Sequence, residues 1–218
     1  MQKIALIVAG GKGERMKSST PKQFLCFKGA PILMHTIKKF DFLDNIIVVL
    51  PSSELDNWKS LCQKYKFILP HTLVEGGSTR IESVRKGLKN ISRNVIVAIH
   101  DGVRPLISKE LIDKLIAEVK PNTGAIPIIP VKDSLRKVTA NNSISIDRSN
   151  MFHVQTPQCF LSDEIQEAYN NITINNKFTD DASIFEHNKG KIKTVLGEEN
   201  NIKITTQQDL SQANYLNI

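Results

Sequence analysis

Four strand-length runs of mostly apolar residues constrain the fold of this chain more than any other feature. They lie at residues 3–9, 45–50, 94–100 and 124–130. A strand that is apolar on both faces is typical of a sheet covered by helices on both sides. Segments with helical spacing of apolar residues lie between the runs, at residues 31–42, 78–88 and 108–119. This alternation predicts an α/β fold with a mainly parallel sheet.

The alternation stops after the fourth run. Residues 143–146 read Ser-Ile-Ser-Ile, a period of two, and the pair Asn141-Asn142 before them is typical of a turn. A hairpin or arm is therefore expected at about residues 131–155. A helix near 163–171, a strand at 191–196 and a helix at 207–216 then resume the α/β pattern. We predict a single domain over residues 1–218 with one projecting β-arm.

The charge and composition limit the classes of partner. The formal net charge is +7, which favours an anionic partner. No apolar run approaches the roughly 20 residues of a membrane span, so no membrane association is expected. Only 6% of residues are aromatic, and no recognition motif or dense basic run favours nucleic acid. Of the anionic partners, phosphorylated small molecules therefore remain. Three widely spaced cysteines fit a reducing, cytoplasmic environment.

A glycine-rich loop, Ala-Gly-Gly-Lys-Gly-Glu-Arg-Met, follows the first predicted strand directly. Glycines let backbone N–H groups approach an anion closely, although a plain tight turn would look the same. The loop is not a dinucleotide fingerprint, because Met16 stands where the last glycine of that motif belongs. An NAD-dependent oxidoreductase is therefore disfavoured. Arg15 and Lys22 supply cations suited to a triphosphate, or they are ordinary surface cations.

Further polar residues follow the other predicted strands. Gly76 and Gly77 open a helix and offer more backbone donors. Asp101 ends the third strand, where an aspartate holds Mg²⁺ or a ribose hydroxyl, or simply caps a turn. Lys203 lies in an apolar, amide-rich segment and is expected to have an anionic partner. Strand ends of a parallel sheet meet at one edge, which predicts a ligand site there.

Taken together, seven segments resemble the cytidylyltransferases of the non-mevalonate isoprenoid pathway. They are AGGKGERM, PKQFL, GGSTRIESV, HDGVRP, DRSNMFHVQTPQ, TDDAS and NIKIT, in this order along nearly the whole chain. Enzymes of that family transfer CMP from CTP to 2-C-methyl-D-erythritol 4-phosphate. The resemblance implies a Rossmann-like nucleotidyltransferase fold and a homodimer built with the β-arm. A sister family that uses ribitol 5-phosphate shares the glycine loop and the PKQ segment, and it stays open as an alternative.

The resemblance also implies a role for individual residues. Transition-state stabilisers or positioners of the incoming phosphate would be Arg15, Lys22, Arg148 and Lys203, with Arg148 reaching in from a partner subunit. The nucleotide would be bound by Ala9, Gly10, Gly11, Gly13, Gly77, Ser78, Ser83, Asp101 and Gly102. The polyol phosphate would be bound by Arg104, Ser134, Thr156 and Thr179. Mg²⁺ is expected to arrive with CTP, with few direct protein ligands.

Overall fold

A mixed sheet of eight strands forms the centre of the computed structural model, which describes residues 1–11, 20–173 and 178–216. The strands are β1 (Lys3–Val8), β2 (Cys26–Phe27), β3 (Ala30–Pro31), β4 (Asn45–Leu50), β5 (Thr72–Glu75), β6 (Ile96–Asp101), β7 (Thr123–Pro130), β8 (Leu135–Thr139), β9 (Asn142–Ile146), β10 (Phe152–Val154), β11 (Gln158–Leu161) and β12 (Lys191–Leu196). The helices are α1 (Ile32–Lys38), α2 (Leu55–Lys64), α3 (Arg80–Leu88), α4 (Lys109–Glu118), α5 (Ser162–Asn170), α6 (Asp181–His187) and α7 (Gln207–Tyr215).

The strand order of the central sheet is β10-β7-β11-β6-β1-β4-β5, and β12 also pairs with β7. The pairs β1–β4, β1–β6, β4–β5 and β7–β12 are parallel, which confirms the predicted mainly parallel α/β sheet. Val8 lies opposite Val49 on one side and Asp101 on the other. The carboxyl ends of these strands therefore meet at one edge of the sheet.

Each face of the sheet carries its own apolar core, because the strands are apolar at both alternating positions. Ala5 and Ile7 of β1 pack with residues of α1, α2 and α4 on one face. Leu6 of the same strand packs on the other face with residues of α3, α5 and α6. Helices thus cover both faces, as the apolar runs predict.

Some elements differ from the sequence prediction. Strand β11 was not predicted, and it runs antiparallel between β6 and β7. Its four residues are too short for a periodic signal. The hairpin turn lies at Ala140-Asn141, because Thr139 pairs with Asn142, so the predicted turn at Asn141-Asn142 is wrong by one residue. Helix α2, between the first and second predicted helical segments, was also missed, whereas β5 agrees with the strand end expected before Gly76 and Gly77.

The predicted arm is present as the hairpin of β8 and β9, which pairs with no other strand in the part of the chain that the structure describes. Strand β10, at the end of the predicted arm, belongs instead to the central sheet through its pairing with β7. Val138 and Ile144 of the hairpin are 72% and 50% exposed. None of the helices within the described ranges has the length and apolar character needed to cross a bilayer.

Candidate active site

A cleft of about 560 Å³ opens at the edge of the sheet where β1, β4, β5 and β6 end. Ligands bind at this edge in open parallel sheets, so its position agrees with the prediction from the strand ends. Many of the predicted site residues line it: Ala9, Gly10, Gly11, Lys22, Gly77, Ser78, Ser83, Asp101 and Lys203. Two other predicted residues, Gly13 and Arg15, lie outside the described part of the chain.

Gly10 and Gly11 allow close approach at the start of the glycine loop. A Cβ atom on Gly11 would lie 3.2 Å from Cε and 3.3 Å from Nζ of Lys22. A Cβ atom on Gly10 would lie 3.4 Å from the hydroxyl oxygen of Ser83. The absence of side chains at both positions leaves the cleft open beside the Lys22 ammonium group.

In the loop that precedes α3, the backbone N–H groups of Gly76, Gly77 and Ser78 all donate hydrogen bonds within the protein. The Gly77 N–H donates to the Ser83 hydroxyl oxygen at 3.1 Å, and the Ser78 N–H donates to the Glu82 carboxylate at 2.7 Å. The Ser78 hydroxyl donates to the same carboxylate, and this contact lowers the pKa of Glu82. A Cβ atom on Gly77 would lie only 2.3 Å from Cβ of Glu82, so glycine is required there. The N-terminal end of α3 and the residues before it therefore form one wall of the cleft.

Asp101 is the centre of the charge in the cleft. Its carboxylate lies 3.5 Å from Nε of Arg80, 3.2 Å from Nε of Arg104 and 3.0 Å from Nζ of Lys203. Burial alone would raise the pKa of Asp101, but the three cations outweigh burial and hold the pKa far below its usual range. The prediction that Lys203 has an anionic partner is confirmed.

Below Asp101, a buried network forms the floor of the cleft. The Asp101 N–H donates to the hydroxyl oxygen of Thr156, and that hydroxyl contacts Nδ1 of His100 at 3.1 Å. Nε2 of His100 lies 3.1 Å from the carbonyl oxygen of Arg104, which can only accept, so Nε2 carries the proton. Burial lowers the pKa of His100 to about 4, so the ring is neutral at pH 7. Thr156 is thus held beneath the cleft rather than at its surface.

Gly102 also has a role inside the fold. Its N–H donates to the carbonyl oxygen of Val8 at 2.9 Å, and its carbonyl oxygen accepts from the Thr36 hydroxyl at 3.1 Å. A Cβ atom on Gly102 would lie 2.7 Å from Cβ of Ala9. Gly102 therefore lets the ends of β1 and β6 approach each other.

The remaining predicted residues lie at different distances from this centre. Arg104 is buried beside Asp101 and also donates to the carbonyl oxygen of Asn201 at 2.7 Å. Thr179 is exposed just before α6. Ser134 and Arg148 are exposed on the arm and do not line the cleft of this chain.

The sequence reasoning missed Arg80 as a residue of the cleft. Arg80 is the first residue of α3 and makes two hydrogen bonds to Asp181, at 2.9 and 2.8 Å, besides its contact with Asp101. The available signal was the pair of acidic residues Asp180-Asp181 in the segment TDDAS. Asp180 does cap α6 through the N–H of Ser183, whereas Asp181 is the ion-pair partner.

The donor set of the cleft has consequences for metal binding. Among the described residues, no group of three or more His, Cys, Asp or Glu side chains is arranged to hold a metal ion. The carboxylate of the cleft, Asp101, is already in contact with three cations. These residues fit a Mg²⁺ ion that is held by ligand phosphates and water, and not one that is caged by protein carboxylates.

The arrangement suits chemistry between phosphorylated molecules. Lys22, Arg80 and Lys203 line one cleft, and Arg104 adjoins it through Asp101. Fixed cations stabilise the charge that builds on phosphorus during phosphoryl or nucleotidyl transfer. No histidine or cysteine is among the described residues that line the cleft, so nucleophilic or acid–base catalysis by those side chains has no support there.

Comparison with known proteins agrees with this geometry. The sequence profile of the family described as IspD, 2-C-methyl-D-erythritol 4-phosphate cytidylyltransferase, matches residues 3–217. A protein of that name from Azobacteroides pseudotrichonymphae is 48% identical, with 99% of this chain and 98% of the relative covered. One from Porphyromonas gingivalis is 46% identical, with 99% and 97% covered. The crystal structure of 4-diphosphocytidyl-2C-methyl-D-erythritol synthase from Anaerococcus prevotii superimposes with a TM-score of 0.79 at 31% identity, covering 98% of this chain and 94% of that one.

Proposed function

The chain belongs to the 2-C-methyl-D-erythritol 4-phosphate cytidylyltransferase family, and from that premise we propose how its cleft performs the reaction. The enzyme transfers CMP from CTP to 2-C-methyl-D-erythritol 4-phosphate in isoprenoid biosynthesis. The observation that carries the proposal is the set of cations around Asp101 in a cleft at the carboxyl edge of the sheet. The ribitol 5-phosphate alternative is not favoured, because the family profile and the relatives carry the methylerythritol phosphate name.

The nucleophile is an oxygen of the methylerythritol phosphate group. It forms a bond to the α-phosphorus of CTP, the bond from that phosphorus to the bridging oxygen breaks, and pyrophosphate leaves. The second pKa of a phosphate monoester is about 6, so the nucleophile is already an oxyanion at neutral pH. No general base is required for this step. Catalysis consists of aligning two anions and offsetting their repulsion.

We assign the cations to different parts of this task. Lys22 and Arg15 stabilise the charge on the α-phosphorus, and the position of Lys22 beside the open face of Gly11 supports its role. Lys203 and Arg104 hold the incoming phosphate, supported by their shared contact with Asp101. Gly13 is assigned to the nucleotide with the rest of the glycine loop. Thr156 and Gly102 act indirectly, because their hydrogen bonds to Asp101 and Val8 fix the strand ends beneath the substrates.

Mg²⁺ belongs to this proposal as a companion of CTP. When bound to the triphosphate, the ion screens its negative charge and polarises the phosphorus. Asp101, the carboxylate that lines the cleft, contacts Arg80, Arg104 and Lys203, so the triphosphate and water would hold the ion in place of protein carboxylates.

A homodimer assembled through the arm is the second part of the proposal. The arm exposes apolar side chains, with Val138 72% and Ile144 50% exposed, and Met151 and the neighbouring β10 residues Phe152 and Val154 are each 43% exposed. A two-stranded hairpin is marginally stable alone in water, so a partner surface is needed to cover it. Arg148 and Ser134 lie at the two ends of this arm and would enter the site of the partner subunit.

The three cysteines are free, which supports a reducing cytoplasm as the location.

A pyrophosphate-release assay tests the substrate assignment. CTP, UTP, ATP and GTP would each be combined with methylerythritol 4-phosphate, erythritol 4-phosphate and ribitol 5-phosphate. We expect turnover with CTP and methylerythritol 4-phosphate to exceed every other combination. A higher kcat/KM with ribitol 5-phosphate would contradict the assignment.

Mixed dimers test the shared site. A subunit carrying Arg148→Ala and a subunit carrying Lys22→Ala are each expected to be nearly inactive as homodimers. In a purified heterodimer, one site keeps both native residues if the arm of one subunit completes the site of the other. Activity near half that of the wild type is expected, and an inactive heterodimer would contradict the exchange of Arg148 between subunits.

A further inference from the structure

Asp181 is a fully buried carboxylate that no substrate can reach directly. It lies at the start of α6, is 0% exposed, and does not line the cleft. A charge buried in this way is costly unless it is paired and hydrogen-bonded. Asp181 is therefore expected to pair with a cationic side chain that itself lines the cleft.

That partner is Arg80. The two terminal nitrogen atoms of its guanidinium group donate to the two oxygen atoms of Asp181, at 2.9 and 2.8 Å. The buried Tyr169 hydroxyl donates to the same carboxylate, so Asp181 is held from a second side. Bidentate pairs of this kind fix the plane of the guanidinium group. Burial alone would lower the pKa of Arg80, but Asp181 and Asp101 outweigh burial and raise it.

Arg80 in turn sets the orientation of Asp101. Its Nε atom contacts one carboxylate oxygen, Oδ1, whereas the other oxygen, Oδ2, lies 3.2 Å from Nε of Arg104 and 3.0 Å from Nζ of Lys203. The two oxygens of Asp101 therefore have separate tasks. A rotation of the carboxylate that followed the loss of Arg80 would move Oδ2, and both of the other cations would lose their common anchor.

We propose that Asp181 is a positioning residue that acts through Arg80 and Asp101 on Lys203 and Arg104. The proposal rests on the assignment of Lys203 and Arg104 to the incoming phosphate. The order of contacts is Tyr169, Asp181, Arg80, Asp101 and then the two phosphate-binding cations. Arg80, Asp101 and Lys203 line the cleft, whereas Tyr169 and Asp181 do not. Tyr169 and Asp181 therefore act only by fixing the orientation of Arg80.

The test compares the KM values of the two substrates in Asp181→Asn. We expect KM for methylerythritol 4-phosphate to rise about tenfold, because contacting charged groups couple strongly, while KM for CTP changes less than about twofold. Asp163→Asn is a matched control, since Asp163 accepts from the Asn94 N–H and lies 3.4 Å from Arg93, outside the cleft. It should leave both KM values unchanged. An equal rise of both KM values in Asp181→Asn would overturn the proposal.

A double-mutant cycle separates positioning from a purely structural role. In an Arg80→Met background, Asp181→Asn should change KM for methylerythritol 4-phosphate by less than about twofold, because the described contacts connect Asp181 to the cleft through Arg80. A second tenfold rise would show that Asp181 does not act through Arg80. If Asp181→Asn alone does not fold, Tyr169→Phe provides the same comparison with a smaller expected rise.

Lys203→Ala, measured in the same assay, distinguishes failure of this proposal from failure of the assignment beneath it. It should raise KM for methylerythritol 4-phosphate by more than Asp181→Asn does. An unchanged KM in Lys203→Ala would refute the phosphate-binding role itself. A raised KM in Lys203→Ala together with a native KM in Asp181→Asn would overturn only the role of Asp181.

Discussion

Replacing Asp101 by asparagine should destabilise the folded protein because it removes the negative charge from the centre of three positive ones. The three nitrogen atoms lie 3.0, 3.2 and 3.5 Å from its carboxylate, and the side chain is 8% exposed. Removing one partner of a buried ion pair costs about 3–5 kcal/mol. Asparagine keeps an oxygen acceptor at the same place, so the lower end, about 3 kcal/mol, is expected. That loss is a large part of the roughly 5–15 kcal/mol by which a domain is stable.

The pH dependence of this loss identifies its cause. The three cations lower the folded pKa of Asp101, whereas an unfolded aspartate titrates at about 3.9. The stabilisation is therefore complete above the unfolded pKa and is lost as the pH falls through the folded pKa. The difference between wild type and Asp101→Asn should be constant from about pH 5 to 8 and should shrink by about 1 kcal/mol between pH 4 and pH 3.

Urea unfolding followed by circular dichroism, with both proteins at the same concentration, measures this difference. Other titrating groups are common to the two proteins and cancel in the subtraction. A difference of about 3 kcal/mol at pH 7 that narrows below pH 4 is the expected result. A difference that is equally large at pH 3 and pH 7 would refute the reasoning, because the cations would then have no effect on the ionisation of Asp101.

Three other predictions follow from the cleft and its floor. Lys22→Ala should lower kcat at least about a hundredfold in the pyrophosphate-release assay, the usual size for loss of a transition-state stabiliser, and a decrease below tenfold would contradict its role. Gly102→Ala places Cβ 2.7 Å from Cβ of Ala9 and should lower the free energy of unfolding by about 1–3 kcal/mol, whereas an unchanged urea midpoint would contradict the close packing. Burial lowers the pKa of His100, so the neutral ring contributes stability that is present above its unfolded pKa and is lost as the pH falls through about 4. An NMR titration of the His100 ring should have its midpoint near that value, and a midpoint near 6.5 would show that the ring is accessible to water.

Much of the fold could be predicted from the sequence because its strongest elements carry local signals. The run at residues 3–9 forms β1, and the segment with helical spacing at residues 108–119 forms α4, which Ser108 caps through the Leu111 N–H. Strand β11 could not be predicted in the same way, because four residues carry no periodic pattern and its neighbours β6 and β7 are distant in the sequence. The extent of the arm was overestimated for a related reason, since only pairing with β7 shows that β10 belongs to the central sheet.

The site was predictable where a residue type is unusual for its position and unpredictable where the role depends on a distant partner. Lys203 was recognised because a lysine in an apolar segment needs an anion, and Asp101 supplies it. Arg80 gave no such signal, because an arginine in the first turn of a helix is ordinary until Asp181 is known to lie behind it. The backbone donors of Gly77 and Ser78 were expected to face a ligand, yet Ser83 and Glu82 of α3 accept from them.

The net charge of +7 excludes few classes of partner by itself. Binding in the cleft depends on how its charged side chains are arranged, and not on how many charges the chain carries. Arg80, Arg104 and Lys203 are joined to Asp101 and Asp181, so these five side chains together carry a charge of only +1. Without the two carboxylates, the cleft would attract two phosphorylated substrates more strongly. Its cations would then repel one another, however, and lose their fixed positions. Fixed positive charges stabilise a transition state more than mobile ones, since they need no reorganisation during the reaction. The two buried carboxylates are therefore best explained as the means by which the cleft keeps its cations in place.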